Sequence, residues 1–401
     1  MNKELLIPVL SNNIEIHQFS DKDYFIHELD LDHRIKISSK VYELINTLNG
    51  EDNLKKISEE NDGLEIEVLY DLLFIKLGKY GIIFSKTNEI EIDVTPKKKP
   101  SYLQLSFIFI PARVVSMITP YLKGLFNKKV FSTIIPLCIL FIGFIFIKNF
   151  ENITKYTFQG KDFWLFFLFA FISVTFHEFG HVTATEFFGA KQNGIGGGFY
   201  IITPVYFADV SDIWKLKINQ RIIVNIAGVY FELIICCLYT IVGLIFGKDF
   251  FLVIGCIIFI KTLWNLIPFL RSDGYWILTD FLKIPNLYKE SNSMVNSYIL
   301  SILKKGAVIK HSNTTIFLLI YGIFNKILLI TFIIYISLYQ LKNIITLPYD
   351  LYIYFKNLLL EKDTFSIQHI YIFLLPIMFY YLLIKYIIAL IKHRKFKSKK
   401  R

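Results

Sequence analysis

Cysteine is scarce and badly placed for metal or disulfide work. The 401 residues hold four (Cys138, Cys236, Cys237 and Cys256), none at C-x-x-C spacing and all inside apolar runs. That excludes a thiolate zinc cluster and a disulfide scaffold, and leaves the four as small buried hydrophobes. Charge is thin too. Charged residues make up 19% of the chain against 54% hydrophobic and 17% aromatic, and the mean hydropathy is +0.48. A soluble domain carries more charge and less apolar bulk. Residues 1–16 lack a basic start followed by an apolar core, so no cleavable signal peptide is expected. The abundance of Ile, Lys, Phe and Asn is what an AT-rich bacterial genome yields. These properties predict a multi-pass α-helical protein of a bacterial cell membrane, with room for one small soluble domain.

Acidic side chains gather at one end. Residues 1–95 hold nineteen acids and ten bases, a net charge near −9, so the rest carries about +20 to reach the overall +11. Pro96-Lys97-Lys98-Lys99-Pro100 reads as a linker whose lysines suit anionic lipid head groups, opening a basic and interfacial segment over 96–130. Before it, residues 24–29 and 34–37 are strand-like, with Asp30 and Asp32 near the turn between them. A helix starts at Ser38-Ser39, presents Val41, Leu44, Ile45 and Leu48 on one face, and stops at Asn49-Gly50. A second helix is expected over 54–57. A third carries the stripe Ile66, Leu69, Leu72, Leu73 and Leu77 and closes at Gly78, and 81–84 form a last strand. Hairpin, three helices and strand predict a small α+β, winged-helix-like cytoplasmic domain.

Winged helices commonly bind DNA, which needs a basic face. This domain is net acidic and its third helix has no Arg or Lys cluster, so no nucleic-acid partner is expected. The order of elements instead resembles the PqqD-like peptide-recognition domain. The likeness runs from Tyr24 through Asp32-His33-Arg34 and Val41-Tyr42-Glu43-Leu44 to Leu48-Asn49-Gly50. It covers about the first 85 residues and implies a leader peptide added to the hairpin edge as an extra strand. The net charge predicts a leader with basic residues. The alternative is an acidic domain with a structural role.

Six apolar runs approach the ~20 residues a membrane helix needs: 131–147, 163–188, 222–246, 250–269, 316–339 and 370–391. An amphipathic stretch over 105–129, interrupted by Pro111, Arg113 and Pro120, precedes them. Lys128 and Lys129, then Lys191, Lys215 and Lys217, then Arg271, Lys283, Lys289, Lys304, Lys305 and Lys310, and the tail 393–401 all fall on one side. The positive-inside rule makes that side, and both termini, cytoplasmic, although the first opposite loop also holds Lys148, Lys155 and Lys161. The membrane domain spans 131–392.

Inside the second apolar run stands His177-Glu178-Phe179-Gly180-His181, an H-E-x-x-H motif. Positions four apart share a helix face, so both histidines can present nitrogens to one ion, with Glu178 placed to take a proton from water. Three ionisable groups at membrane depth are costly and mark function. His177 lies fourteen residues in from Phe163, about 21 Å into a ~30 Å core and nearer the cytoplasmic side. The fourth run ends on that same side in Asn265-Leu266-Ile267-Pro268-Phe269-Leu270-Arg271-Ser272-Asp273-Gly274. Asp273 thus arrives at the depth of the histidines and can be the third ligand of a catalytic Zn2+, with Pro268 and Gly274 bending the chain.

An H-E-x-x-H in one membrane helix and N-x-x-P-x-x-x-x-D-G in a later one resemble the site-2 protease family of intramembrane zinc metallopeptidases. The resemblance covers about 163–275. It implies zinc held by His177, His181 and Asp273, Glu178 as the base, and Asn265 holding substrate or the oxyanion. Ser272 departs from the Leu usual before the Asp. With its acidic first domain, the whole resembles the peptide zinc metallopeptidases encoded beside modified-peptide genes. That implies a peptide substrate, here a ribosomally made modified precursor, and an exporter encoded nearby as a partner.

Other readings compete. Glu232 is a rival ligand, but bonding to a neighbouring helix is the stronger reading, because the Asp273 motif already fits the ligand count. Glu186, five residues past His181, is about 140° around the helix and off the ligand face. Gly194-Ile195-Gly196-Gly197-Gly198 and 199–207 form either a hairpin that presents substrate as a strand or a flexible loop. Asp209 and Asp212 cap the turn toward Trp214. His17, His27, His33, His311, His369 and His393 have no second ligand at metal spacing. A non-catalytic export or immunity factor would need no glutamate beside a metal. A regulated protease acting on a membrane-anchored signalling protein remains open, but no PDZ-like insertion separates the spans.

Overall fold

The computed structural model describes residues 3–20, 23–31, 33–61, 63–86, 94, 103–200, 203–269, 271–304 and 312–359, with scattered positions between 373 and 388. The Pro96–Pro100 linker, Asp32, His311, His369, His393 and the basic tail lie outside the described residues, as does most of the run 370–391. The described chain forms two units. The first contains residues 1–101, 108–196 and 206–283, and the second 102–107, 197–205 and 284–401.

The amino-terminal part of the first unit begins with β1 (Pro8–Leu10), β2 (Ile14–Ser20), β3 (Asp23–Glu28) and β4 (His33–Ser38). Then come α1 (Ser39–Thr47), α2 (Leu54–Glu60), α3 (Ile66–Tyr70) and β5 (Ile83–Ser85). α3 runs on through a π turn (Asp71–Leu77) and a 3-10 turn (Gly78–Tyr80). The expected hairpin is present as β3 and β4, with Tyr24 opposite Ile37 and His27 opposite Arg34. Its turn is held by Glu28, whose carboxylate accepts the amides of Asp30 (3.1 Å) and Leu31 (2.7 Å). Two strands were not expected. β2 pairs with β3, making a three-stranded antiparallel sheet in the order β2-β3-β4, and β1 pairs with β5. β2 alternates Ile14, Ile16 and polar residues, but its run is short and broken by a register shift near Gln18. Leu6, Ile26, Ile45, Leu54, Leu73 and Ile83 close one core under these elements.

The helical part of the first unit starts at the end of β6 (Leu103–Pro111), followed by α4 (Ala112–Leu122), α5 (Lys128–Lys148), α6 (Phe150–Lys155) and α7 (Gly160–Phe187). The chain continues through β7 (Gly194–Tyr200), β8 (Thr203–Ala208), α8 (Ile218–Phe246), α9 (Asp249–Asn265) and α10 (Asp273–Phe281). α7 begins with a reciprocal cap: Gln159 and Asp162 exchange side-chain and backbone bonds. It ends where Gly189 takes a φ of +85°. The Gly-rich segment is strand, in a sheet ordered β6-β7-β8. Asp209 does cap the following turn, accepting from the Ser211 amide (3.2 Å) and hydroxyl (2.7 Å). Glu186 sits off the ligand face, bonded to Ser116 (2.6 Å) and Thr119 (2.5 Å) of α4.

Among the described residues, four stretches are long and apolar enough to cross a membrane: Lys128–Lys148, Gly160–Phe187, Ile218–Phe246 and Asn313–Asn357. They mark a membrane protein. α9 matches the fourth apolar run but has only 17 residues, about 26 Å of helix against a ~30 Å core. In the second unit, α11 (Leu287–Lys304) packs on α12 (Asn313–Tyr335), and α13 (Leu341–Leu359) continues beyond a π turn.

The amino-terminal sheet touches the helical part at Lys215 and Trp214. Glu15 of β2 pairs with Lys215 at 2.6 Å, and Phe25 of β3 stacks on Trp214 with ring centroids 5.8 Å apart. The Glu15 carboxyl is held below its ordinary pKa by that hydrogen bond. Burial works against the Lys215 charge, but Glu15 and Asp212 outweigh it and its pKa rises.

Candidate metal centre

α7 and α8 meet where neither has a side chain in the way. A Cβ on Gly180 would strike the backbone of Ala227, and a Cβ on Gly228 would strike the Nε2 atoms of both His177 and His181. Glycine at these two positions lets the helices approach and leaves space in front of the imidazoles. From His177 to Thr185 every residue of α7 is buried.

Three sequence-predicted residues converge here. His177 Nε2 lies 3.1 Å from His181 Nε2 and 3.1 Å from Asp273 Oδ2, and His181 Nε2 lies 3.4 Å from Asp273 Oδ1. A tetrahedral zinc with bonds of ~2.0–2.1 Å sets its donors roughly 3.3 Å apart. The spacing of the donor atoms therefore fits that ion, and two imidazoles with one carboxylate leave a fourth position open. Among the described residues this is the one cluster of such groups able to hold a metal.

The other ring nitrogens face acceptors, which turns the Nε2 lone pairs inward. His181 Nδ1 donates to the Val224 carbonyl at 2.8 Å. His177 Nδ1 lies 3.3 Å from Glu232 Oε2, within ion-pair distance though without hydrogen-bond alignment. Glu232 thus lies on the far side of the His177 ring from the donor cluster, in the position of a group that would orient the imidazole. It is fully buried and takes bonds from Ser173 (3.2 Å), Thr262 (2.9 Å) and Lys261. Its bonds join α7, α8 and α9, as the helix-bonding reading of Glu232 expects.

Asp273 is the first residue of α10, and its approach depends on how the chain returns from α9. Gly274 packs directly on the backbone of Leu266, a contact no larger residue could make. Asn265 donates from Nδ2 to Asp273 Oδ2 at 3.2 Å. In this arrangement Asn265 steadies the carboxylate, a role the substrate-holding expectation did not include. α10 is anchored to α8 by the buried Arg221–Asp280 pair, at 2.9 Å from Nε and 2.7 Å from Nη2, with Asn225 at 3.2 Å. Removing one partner of such a pair costs about 3–5 kcal/mol because the other charge stays buried.

Glu178 is buried beside the histidines, and its carboxyl meets the backbone amide of Ala208 at the end of β8. That places the acid between the donor cluster and a strand end. Sequence reasoning missed Gly228, Lys261, Ser173 and Thr262. Lys261 carried a signal, being the sole charge within the apolar body of α9; Gly228 carried none, since its reason lies in another helix.

No family model and no solved structure matches the chain. It is similar to a Bacillus subtilis (strain 168) protein named "Putative peptide zinc metalloprotease protein YydH", at 28% identity over 170 residues, 40% of this chain and 67% of that protein. This distant likeness supports a zinc metalloprotease family.

Proposed function

We propose that this protein is a membrane-embedded zinc endopeptidase of the site-2 protease type. It cuts a peptide near the cytoplasmic face, and its substrate is a ribosomally made, modified precursor. The observation that carries the reading is the convergence of His177 Nε2, His181 Nε2 and an Asp273 oxygen within 4.8 Å of one another. Glu178 lies buried beside them. A purely structural site needs no such glutamate and tends to be closed by four ligands.

The chemistry supplied by zinc, when bound, is Lewis acidity toward a scissile carbonyl and a water. Glu178 accepts the proton of the attacking water and returns it to the leaving amine. Asn265 and Glu232 hold Asp273 and His177 in place. The edge of β8 at Ala208, next to Glu178, suits a substrate laid down as an extended strand. The amino-terminal sheet supplies recognition: it contains no metal cluster among its described residues, and β4, the second strand of the hairpin, is one of its two outer strands. The basic loops support a cytoplasmic setting for it, alongside the precursor.

The test uses detergent-purified protein and a mixed peptide library, with products read by mass spectrometry. Zinc-loaded wild type should cleave. Glu178→Gln should keep about one zinc per chain by elemental analysis while its rate falls by roughly 10²–10⁴. Cleavage by Glu178→Gln at the wild-type rate would sink the mechanism.

A further inference from the structure

The buried pair that anchors α10 is covered by a residue tied to the amino-terminal sheet. Arg221, in the first turn of α8, is 1% exposed, and Asp280, in the last turn of α10, is 5% exposed. Both stand at helix ends close in sequence to exposed lysines, Lys217 before Arg221 and Lys283 after Asp280. Arg221 Cζ lies 5.1 Å from the ring centre of Trp214, and that same residue stacks on Phe25 of β3. One line of side chains thus runs from the sheet through Phe25, Trp214 and Arg221 to Asp280.

Two paths lead from Asp280 to the donor cluster. Asp280 and Asp273 are seven residues apart on α10, about 10 Å of helix, so an anchor at one end fixes the axis that carries the carboxylate at the other. Asn225 donates to Asp280 at 3.2 Å, and its neighbour Val224 offers the carbonyl that accepts from His181 Nδ1 at 2.8 Å.

We propose that Trp214 is a positioning residue for the metal centre, set by Phe25 and acting through Arg221 and Asp280 on Asp273. The proposal rests on the zinc-site reading above and makes that site dependent on the docked sheet. A guanidinium over an aromatic face is held most strongly away from water, and its carboxylate partner gains from the same dryness. Trp214 supplies the face and shields the pair. The turn that carries it is tied down without the sheet, since Asp212 accepts the Lys191 amide at 2.9 Å and pairs with Lys215 at 3.0 Å. What Phe25 adds is therefore the orientation of the ring. Coupling between two sites is reciprocal, so metal binding must in turn strengthen the contact with the sheet.

The experiment measures zinc affinity of the full-length protein by competition with a chelator, beside the visible bands of the cobalt form. Trp214→Leu should lower affinity by about 10-fold, the lower end of outer-shell effects, and shift the bands. Trp214→Phe keeps an aromatic face and should restore most of the loss, and Phe25→Leu should give a smaller loss in the same direction. Glu15→Gln removes the nearby ion pair, leaves the rings in place and should bind zinc as wild type does. With Trp214 as the sole tryptophan, zinc should change its emission, and Phe25→Leu should reduce that change. Unchanged affinity and cobalt bands in Trp214→Leu, even with a lower melting temperature, would reduce Trp214 to a docking contact and overturn the proposal while leaving the zinc site standing. An equal loss in Trp214→Phe would overturn it too, since the aromatic face would then play no part. So would a loss in Glu15→Gln as large as in Trp214→Leu, because any disturbance of docking would then suffice. If Trp214→Leu loses its helical circular dichroism, Phe25→Leu decides, and wild-type affinity there overturns the proposal. If the wild type takes up no zinc, the metal reading fails and the proposal with it.

Discussion

The two halves of α7 have the same secondary structure and opposite surroundings. Toward its start, Trp164 is 70% and Phe171 59% exposed, while past His177 the side chains turn inward and Val182 and Thr183 have no exposure at all. The first half is apolar and faces outward; the second carries His177, Glu178, His181, Thr183 and Thr185 and faces α8. A soluble core would invert this. In a bilayer the apolar solvent accepts Trp and Phe readily, so the packed interior is free for groups that need one another. The second half is therefore tightly determined and the first is not.

The largest effect should come from closing the space between α7 and α8. Gly228→Ala puts a methyl against both ligand nitrogens, and a displacement of about 1 Å at a catalytic centre costs roughly 100-fold in rate. We expect at least that loss, with zinc content reduced and helical circular dichroism retained. Gly143→Ala, where a Cβ meets nothing within 4 Å, is the control that should change neither. Equal effects at the two glycines would erase the distinction between packed and open faces.

Next in size is the support behind His177. Glu232→Gln keeps the shape and removes the charge facing Nδ1, and outer-shell changes of this kind cost about 10–100-fold in metal affinity. Competition with a zinc chelator measures it, and the absorption bands of the cobalt-substituted protein should shift because the ligand field changes. If affinity and spectrum both match wild type, Glu232 holds helices together and nothing more.

The smallest effect belongs to the contact between the sheet and the helical part. Glu15 has a lowered pKa, so its contribution is present above its ordinary 4.5 and fades as pH falls through the lower folded value. Lys215 has a raised pKa, so its contribution is present below 10.5 and fades as pH climbs through the higher folded value. The docked state should be steadiest between these limits. Both groups are solvent-accessible, so the pair is worth at most about 1 kcal/mol. Emission from a variant keeping Trp214 as its sole tryptophan should change below about pH 4.5 in wild type and not in Glu15→Gln. A flat response in both would show that the Phe25–Trp214 stack alone makes the contact.

Local pattern made much of this molecule legible before folding was considered. The i, i+4 histidines share a face in any helix, and the apolar runs that became α5, α7, α8 and α12 follow from hydropathy alone. The stripe from Ile66 to Leu77 and the two strand-like runs with Asp30 and Asp32 near the turn between them announced the amino-terminal helix and hairpin, because those signals span a few residues. β1 was not legible because its partner β5 lies far along the chain, and β2 because its run is short and broken by a register shift, and short strands have little intrinsic preference. Asp273 was found through a spaced motif, but its distance from the histidines depends on Gly274 packing on Leu266 and on the Arg221–Asp280 anchor. By itself the sequence determined which residues could bind a metal. Only the tertiary structure decided that Glu232 sits behind the His177 ring and outside the donor cluster, that Gly228 must lack a side chain, and that an acidic domain holds a lysine-lined cleft. Each of these is set by a second segment distant in sequence, and no periodicity within one segment encodes where another will come to rest.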